Sequence, residues 1–248
     1  MLNYIKAELY RNFNRAYLWV YTGIFAAIAL TVVIICNVNN IPNVNLSEMI
    51  KITTGMLGFP VFLVAAMFDM VTAEEQKNQT LRNVVTFGIS RNKIVVSKVI
   101  VSVILALISA IIILVVFFGS AAALLGLGDD LSVSILKYGI KILVAVPLWI
   151  AAISVGTFLS ILISNNAVMA FVYAGIFAFA SRIIKLFSII ISDKFKYIHN
   201  ILITTQLNKI AAETAVSQDF LRAALIGFIY TIVFTILSMI YFKRKEIK

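Results

Sequence analysis

The segment of residues 142–181 reads ILVAVPLWIAAISVGTFLSILISNNAVMAFVYAGIFAFAS and contains no charged residue. A helix rises about 1.5 Å per residue, so one helix of this length would be about twice as long as the ~30 Å hydrocarbon core of a bilayer is thick. The polar turn formers at 164–166 divide the segment. We therefore predict that residues 142–163 cross a membrane and that a further crossing begins at Ala167.

The composition of the whole chain also indicates a lipid environment. Hydrophobic residues make up 62% of the 248 residues and the mean hydropathy is +1.02, whereas an ordinary soluble domain is about 45–50% apolar. The net charge of +10 raises the question of nucleic-acid binding. However, the basic residues flank apolar runs, which is the pattern that the positive-inside bias of membrane proteins produces. We therefore expect lipid headgroups, and not nucleic acid, as partners of the basic residues.

The apolar runs predict an all-α integral membrane protein with about six transmembrane helices in a single transmembrane domain, residues 1–248. The predicted crossings are residues 17–36, 52–68, 99–128, 142–163, a run from 167, and 223–242. An even number of crossings places both ends of the chain on one side. With the N-terminus inside, twelve of the 21 Lys and Arg residues are cytoplasmic and six of the others fall in one outer segment. The positive-inside rule thus favours cytoplasmic N- and C-termini in a cell membrane.

Residues 1–15 have the period of an amphipathic helix. Apolar side chains recur at steps of three and four, at Leu2, Ile5, Leu9 and Phe13, and polar ones fall on the other face, at Glu8, Arg11, Asn12 and Arg15. We predict an interfacial helix on the cytoplasmic leaflet. A polar tail that happens to match the period is the alternative.

Two further segments are too polar or too interrupted to be simple crossings. Residues 72–98 form the longest polar stretch on the predicted inner side, with a small apolar stripe at Leu81, Val84 and Val85. They predict a short helix across the membrane face, ended by Gly88 and followed by a helix that Ser90 caps. Residues 182–222 alternate short apolar and polar pieces, which suits re-entrant or interfacial outer helices. An ordinary outer loop is the alternative for the latter segment.

Motifs for chemistry are missing from the sequence. No glycine-rich stretch leads into Gly-Lys-Ser/Thr, so we expect no nucleotide binding by this chain. His199 and Cys36 are the sole residues of their types, and no Ser or Cys nucleophile has an evident base. We therefore expect no catalytic, cofactor-binding or metal-binding residues, and no enzyme activity. Asp69, Arg182 and Lys185 lie near the ends of predicted crossings, from which they can reach the headgroups.

The inner segment carries the residues of a family resemblance. Residues 74–91 read EEQKNQTLRNVVTFGISR, with a Glu before Thr-Leu-Arg and then Gly-Ile-Ser-Arg at the start of the third crossing. With the amphipathic first helix and the order of crossings, the chain resembles over its whole length the permease subunit of a type II ABC exporter. Gln79 stands where the family usually has Gly.

The resemblance implies that residues 77–91 include a coupling helix seated on a separate ATP-binding cassette subunit, which would hold ATP and Mg²⁺. It also implies a second permease chain, either identical or closely homologous, and export of an amphipathic or apolar cargo. Small bacterial permeases of this kind resemble those for bacteriocins, lantibiotics, bacitracin-like antibiotics and phenol-soluble modulins. The residues expected to couple to the ATP-binding subunit are Glu75, Thr80, Leu81, Arg82, Asn83, Val84, Val85, Gly88, Ser90 and Arg91. No residue is assigned to the cargo path.

Other functions remain open on the sequence. An ion-coupled transporter or channel needs charged or unwound elements within the membrane; Pro60 and Pro147 offer kinks, but charge is scarce. An intramembrane enzyme lacks catalytic groups. An accessory immunity protein that binds a peptide without moving it differs from a permease in its independence of ATP.

Overall fold

The computed structural model describes residues 1–77 and 89–244, with the backbone alone for residues 73–77. Within these residues the chain forms α-helices and no β-strand, which confirms the predicted all-α class. The helices are α1 (Leu2–Phe13), α2 (Ala16–Val38), α3 (Leu46–Gly55), α4 (Pro60–Leu63), α5 (Ala65–Lys77), α6 (Arg91–Leu125), α7 (Leu131–Leu162), α8 (Asn166–Ile190), α9 (Phe195–Ile201), α10 (Ile203–Ala211) and α11 (Ser217–Arg244).

The long helices agree with the prediction of about six crossings. In the described part of the chain, α2, α6, α7, α8 and α11 are each long and apolar enough to cross a membrane. The pair Leu46–Gly55 and Pro60–Thr72 supplies a sixth if it is one crossing bent by 74°. The crossings predicted to begin at 99 and 142 belong to helices that begin earlier, at Arg91 and Leu131, and that end at Leu125 and Leu162. Helical backbone thus continues past the apolar runs at these ends.

The division of the uncharged segment 142–181 is confirmed. Helix α7 ends at Leu162 and α8 begins at Asn166. The Oδ1 atom of Asn165 accepts hydrogen bonds from the backbone N–H groups of Ala167 and Val168, at 3.0 and 3.2 Å. Asn165 therefore caps the N-terminus of α8, as a short polar side chain at this position commonly does.

Helix α7 is the centre of the bundle. In its most apolar 18-residue stretch, 56% of the residues are buried, whereas the share is 17% in α2, α8 and α11. Helix α11 crosses it closely at Gly227, where an added Cβ would lie 2.6 Å from the backbone carbon of Pro147. A Cβ on Gly156 would overlap the buried ring of Phe68 from α5. Small residues thus allow close approach of helices, as is common inside membranes.

Hydroxyl pairs join other helices of the bundle. Thr22 of α2 and Ser109 of α6 are buried with their hydroxyl oxygens 2.9 Å apart. Ser47 of α3 and Ser134 of α7 form a similar pair at 2.8 Å. Such hydrogen bonds between helices satisfy polar groups where water is absent.

The structure confirms that the N-terminal segment is helical and that Ile5 packs in the bundle, but it corrects the prediction for two polar residues. Glu8 and Asn12, predicted on the polar outward face, are 4% and 0% exposed, while Leu2 is 74% exposed. Helix α1 packs on α5 and α6 through the stripe that holds Ile5, Glu8 and Asn12. The polar groups are compatible with burial because Glu8 pairs with Arg11 and the Asn12 side chain donates to the Glu8 carbonyl oxygen at 2.8 Å.

One end of the bundle gathers segments that are distant in the chain. Buried Ile94, Ile161 and Phe242 pack together with Tyr4. Helix α1, the start of α6, the end of α7 and the end of α11 therefore meet at this end. The arrangement agrees with an even number of crossings, because the first and the last helix share one end of the bundle.

Candidate functional site

Most residues predicted to couple to a partner lie outside the described part of the chain. These residues are Thr80, Leu81, Arg82, Asn83, Val84, Val85 and Gly88. Glu75 lies on the last turns of α5, and its side chain is likewise outside the described atoms. Ser90 and Arg91 are described, and they stand where the inner segment rejoins the bundle.

Arg91 connects the start of α6 to the end of α11. Its Nη1 atom donates to the carbonyl oxygens of Phe242 and Lys243, at 3.1 and 2.7 Å. The last carbonyl groups of a helix have no partner within the helix and attract cations. Ser90 occupies the predicted capping position, but its side chain makes no capping hydrogen bond. Arg91 therefore fixes the C-terminal end of the last helix, a contact that the sequence did not predict.

Lys98 connects the same end of α6 to α5. Its side chain is 2% exposed, and its Nζ atom donates to the carbonyl oxygen of Val71 at 2.9 Å. A buried ammonium group requires such partners, since desolvation without them is costly. Lys98 thus connects α6 to α5, the helix that precedes the inner segment, and Arg91 connects α6 to α11. These two contacts fix the two ends of the inner segment to the bundle.

The predicted second crossing is broken at residues 56–59, between α3 and α4. Pro60 stands at the first position of α4, where the missing N–H of proline is tolerated. The sequence predicted one crossing over residues 52–68 with a possible kink at Pro60, and the structure shows the larger bend of 74°.

Aromatic side chains satisfy the carbonyl groups around this break. The Nε1 atom of Trp149, which lies in α7, donates to the carbonyl oxygen of Leu57 at 3.0 Å. The hydroxyl of Tyr173 in α8 donates to the carbonyl oxygen of Val61 at 2.9 Å. The hydroxyl of Tyr21 in α2 donates to the carbonyl oxygen of Leu63 at 2.8 Å. Irregular backbone at membrane depth persists only where protein or water satisfies it. The break is therefore held in place by three neighbouring helices.

The outer segment forms the short helices that were predicted. Helices α9 and α10 are 7 and 9 residues long, too short to cross a bilayer. Helix α10 buries Ile203, Leu207 and Ile210 against the bundle. The Lys141 side chain of α7 donates to the carbonyl oxygens of Ala211 and Ala212, at 3.0 and 2.9 Å, and so fixes the end of α10.

A polar cluster in this segment brings a serine to the histidine. The Oγ atom of Ser181 lies 3.2 Å from Nε2 of His199 and 3.1 Å from Oγ1 of Thr205. Partial burial, followed by the charges of Lys185 and Lys209, lowers the pKa of His199. Both lysines would oppose the imidazolium that forms when a histidine takes a proton from a nucleophile. The cluster therefore fits a structural role, although the sequence did not predict that Ser181 has a base nearby.

The ionisable residues at the predicted crossing ends are placed differently from one another. Arg182 and Lys185 of α8 are exposed, in agreement with contact to headgroups, whereas Asp69 of α5 is half-buried and its Oδ1 atom is shielded from solvent. No pattern in the sequence indicated that Lys98 or Glu8 is buried. Periodicity places a residue on a face, but it does not say which neighbouring helix covers that face.

The comparison with known protein families identifies a match that covers more than half of the chain. The family described as ABC-2 family transporter protein matches residues 5–181, which is 177 of the 248 residues. The match includes most of α1, the broken second crossing and the inner segment. No curated protein matches the chain.

Proposed function

Because the chain belongs to the ABC-2 family of transporter proteins, we propose that it is the permease subunit of an ATP-driven exporter of amphipathic or apolar cargo. The family match across residues 5–181 is the observation that carries this proposal. A separate ATP-binding cassette subunit binds ATP and Mg²⁺ and hydrolyses the nucleotide. The present chain supplies the membrane passage and no catalytic group.

The proposed cargo is a peptide toxin or antimicrobial peptide that leaves a bacterial cell. The support is chemical: the long crossings are apolar, and Arg182 and Lys185, the charges predicted at the outer end of α8, are exposed. Lys98 is buried but bonded to the Val71 carbonyl oxygen. A passage with few charges suits an amphipathic peptide better than an inorganic ion.

The proposed mechanism begins at residues 77–91, which act as the coupling helix. Closure of two ATP-binding subunits moves this segment. Arg91 and Lys98 pass the movement to α11 and α5 through the hydrogen bonds at the two sides of the segment. Rigid long helices, α6 among them, carry it to the outer face. Two permease chains, with both termini in the cytoplasm, face each other across the cargo path.

The ion-coupled alternative depends on the broken second crossing, because unwound backbone carbonyl groups coordinate ions in many transporters. Here the carbonyl oxygens of Leu57, Val61 and Leu63 accept hydrogen bonds from Trp149, Tyr173 and Tyr21. Those aromatic donors compete with an ion for the same oxygens. The geometry therefore favours a structural break over an ion site.

The test is co-purification of the chain with a candidate ATP-binding subunit, followed by ATPase assays with and without amphipathic peptides. We expect a stable complex and peptide-dependent ATPase activity. The variant Arg82→Glu should weaken the complex, while Arg222→Glu, which makes the same charge change at the outer start of α11, should not. A complex that tolerates deletion of residues 77–88 would contradict the proposal. Peptide binding that is indifferent to ATP would indicate an accessory immunity protein instead.

A further inference from the structure

A groove opens on the bundle between α6, α7 and α11. Its volume is about 490 Å³, within the roughly 300–1,000 Å³ that is typical of small-molecule sites. The walls are aliphatic, and they include Val96, Ile100 and Ile104 of α6, Ile150 of α7, and Ile232 and Ile236 of α11. Its lining residues include none from the broken second crossing and none from the outer polar cluster.

The chemistry of the walls suits a hydrocarbon chain. Among the described residues that line the groove, the polar ones are Thr231 and Thr235. The Thr231 hydroxyl already donates to the Gly227 carbonyl oxygen at 2.9 Å, so it offers little to a polar solute. Water gains few hydrogen bonds in such a space, and an apolar ligand is favoured.

The groove lies in the half of the bundle that contains the first turn of α6 and the last turn of α11, where basic residues are found. Ile104 is eleven residues from Lys93 along α6, a rise of about 16 Å, and one leaflet of the hydrocarbon core is about 15 Å thick. Lys93 is offset from Ile100 by seven residues and Lys243 from Ile236 by seven residues, which places each lysine on the groove-lining face of its helix. The distance along α6 from Lys93 to Ile104, the lining residue farthest from it on this helix, therefore matches the length of one acyl chain.

We call the end of the groove that lies toward the first turn of α6 and the last turn of α11 its mouth, and basic residues of both turns lie beyond it. Lys93 of α6 and both Lys243 and Arg244 of α11 are exposed. The first turn of α6 and the last turn of α11 contain no acidic residue. Arg91 holds these two helix ends together through the carbonyl oxygens of Phe242 and Lys243, so the lysines of both helices stay at the same mouth.

We propose that this groove binds one anionic glycerophospholipid of the cytoplasmic leaflet, with an acyl chain between α6, α7 and α11 and the phosphate group between Lys93 and Lys243. The depth, the aliphatic walls and the basic mouth each match one part of such a lipid. The binding site itself is independent of the cargo and of the ATP-binding subunit. The leaflet alone rests on the proposed orientation.

Native mass spectrometry of the full chain in detergent, titrated with phosphatidylglycerol or phosphatidylcholine, tests the headgroup site. We expect preferential retention of phosphatidylglycerol by the unaltered chain. The double change Lys93→Gln and Lys243→Gln should lower that affinity about fivefold per lysine, or roughly 25-fold in total. Lys137→Gln removes an exposed charge at the other end of α7 and should have no effect. Equal affinity for the two lipids, or an unaltered affinity in the double variant, would overturn the proposal.

A second pair of variants tests the acyl-chain groove. Thr235→Phe places a ring in the groove, whereas Val233→Phe places the same ring on an exposed face of the same helix. We expect that the first variant reduces lipid retention at least about fivefold, with the headgroup lysines intact, and that the second does not. If Thr235→Phe instead prevented pairing of two permease chains, or abolished peptide-stimulated ATPase activity, with lipid retention unaltered, the groove would belong to that function and the lipid proposal would be wrong.

Discussion

Tyr173 places both an aromatic ring and a hydroxyl in the centre of the bundle. The ring centre lies 4.8 Å from that of Phe68 and 4.7 Å from that of Phe177, and the hydroxyl donates to the Val61 carbonyl oxygen. The ring contributes packing, and the hydroxyl satisfies backbone that the broken crossing has freed. A change that removes one and retains the other can separate these contributions.

The variant Tyr173→Phe retains the ring and removes the hydroxyl. We expect the free energy of unfolding to fall by about 1–3 kcal/mol, because the Val61 carbonyl oxygen loses its donor in a buried place. Thermal unfolding in detergent measures the change. Tyr197→Phe is the control, since Tyr197 is 78% exposed, and it should leave the midpoint in place. Equal midpoints for the two variants would argue against the role of the hydroxyl.

The variant Gly156→Ala tests the contact between α7 and α5. The added methyl group would overlap the Phe68 ring, which is 0% exposed. We expect a loss of about 1–3 kcal/mol in the free energy of unfolding, as for other overpacked cores. Gly175→Ala has no neighbour within 4 Å of the new methyl group and should be neutral or stabilising, since alanine favours helix. Phe68→Leu should restore part of the loss in Gly156→Ala; no recovery would place the strain elsewhere.

At the residue scale, the sequence indicated that Arg182 and Lys185 are exposed at a crossing end, but it did not indicate the partners of the buried polar residues. Arg91 was predicted to contact a partner subunit, and in the structure its side chain binds the end of α11. Its partners lie about 150 residues away in the chain, and no periodicity connects them. The same distance problem applies to Trp149 and Leu57.

At the scale of elements, helices were predictable and their breaks were less so. Apolar runs gave the crossings, and Asn165 marked the turn between α7 and α8 as predicted. The second crossing was predicted without its 74° bend, because aromatic donors from other helices stabilise the break and composition does not reveal them. Helix α1 was predicted correctly as a helix, but Glu8 and Asn12 of its predicted polar face are buried, because they form hydrogen bonds within the helix.

The outer helices α9 and α10 should respond to pH through His199. Its pKa in the folded chain is lowered by burial and by Lys185 and Lys209, whereas an unfolded histidine titrates near about 6.5. The folded segment thus binds fewer protons than the unfolded one. The contribution of His199 to the free energy of unfolding is therefore fully present above about pH 6.5, and it is lost as the pH falls below that value. Hydrogen exchange over residues 195–211, corrected for intrinsic rates, should show less protection at about pH 5.5 than at about pH 7.5.

The variant His199→Gln serves as the comparison for this pH effect. Glutamine can still bond to the Ser181 hydroxyl, but it does not titrate in this range. The difference in protection between the two pH values should disappear in the variant, while amides in α7 stay protected in both proteins. A pH effect of equal size in the variant would assign it to another group.

At the scale of the whole molecule, the fold class and the number of crossings followed from hydropathy, whereas the common end of α1, α6, α7 and α11 required the three-dimensional structure. The side of the membrane that this end faces is still a prediction from the distribution of Lys and Arg.

Cysteine labelling tests the orientation. Cys36 is the one cysteine of the sequence, so Cys36→Ser gives a chain without thiols. In this background we expect a membrane-impermeant maleimide to label Asp193→Cys in intact cells, because the outer segment faces the medium. Lys6→Cys should be labelled only after the cells are opened. The reverse pattern would invert the topology and move the proposed lipid site to the outer leaflet.

The meeting of Tyr4, Ile94 and Phe242 at one end of the bundle has a practical consequence for engineering. A fluorescent protein or affinity tag fused at either terminus stands beside the exit of the inner segment, where an ATP-binding subunit would dock. A fusion at either terminus would therefore compete sterically with the ATP-binding subunit for this end of the bundle when the complex is reconstituted. The turn at Asp129 and Asp130, between α6 and α7, lies at the opposite end of α6 and is a better insertion site for an epitope.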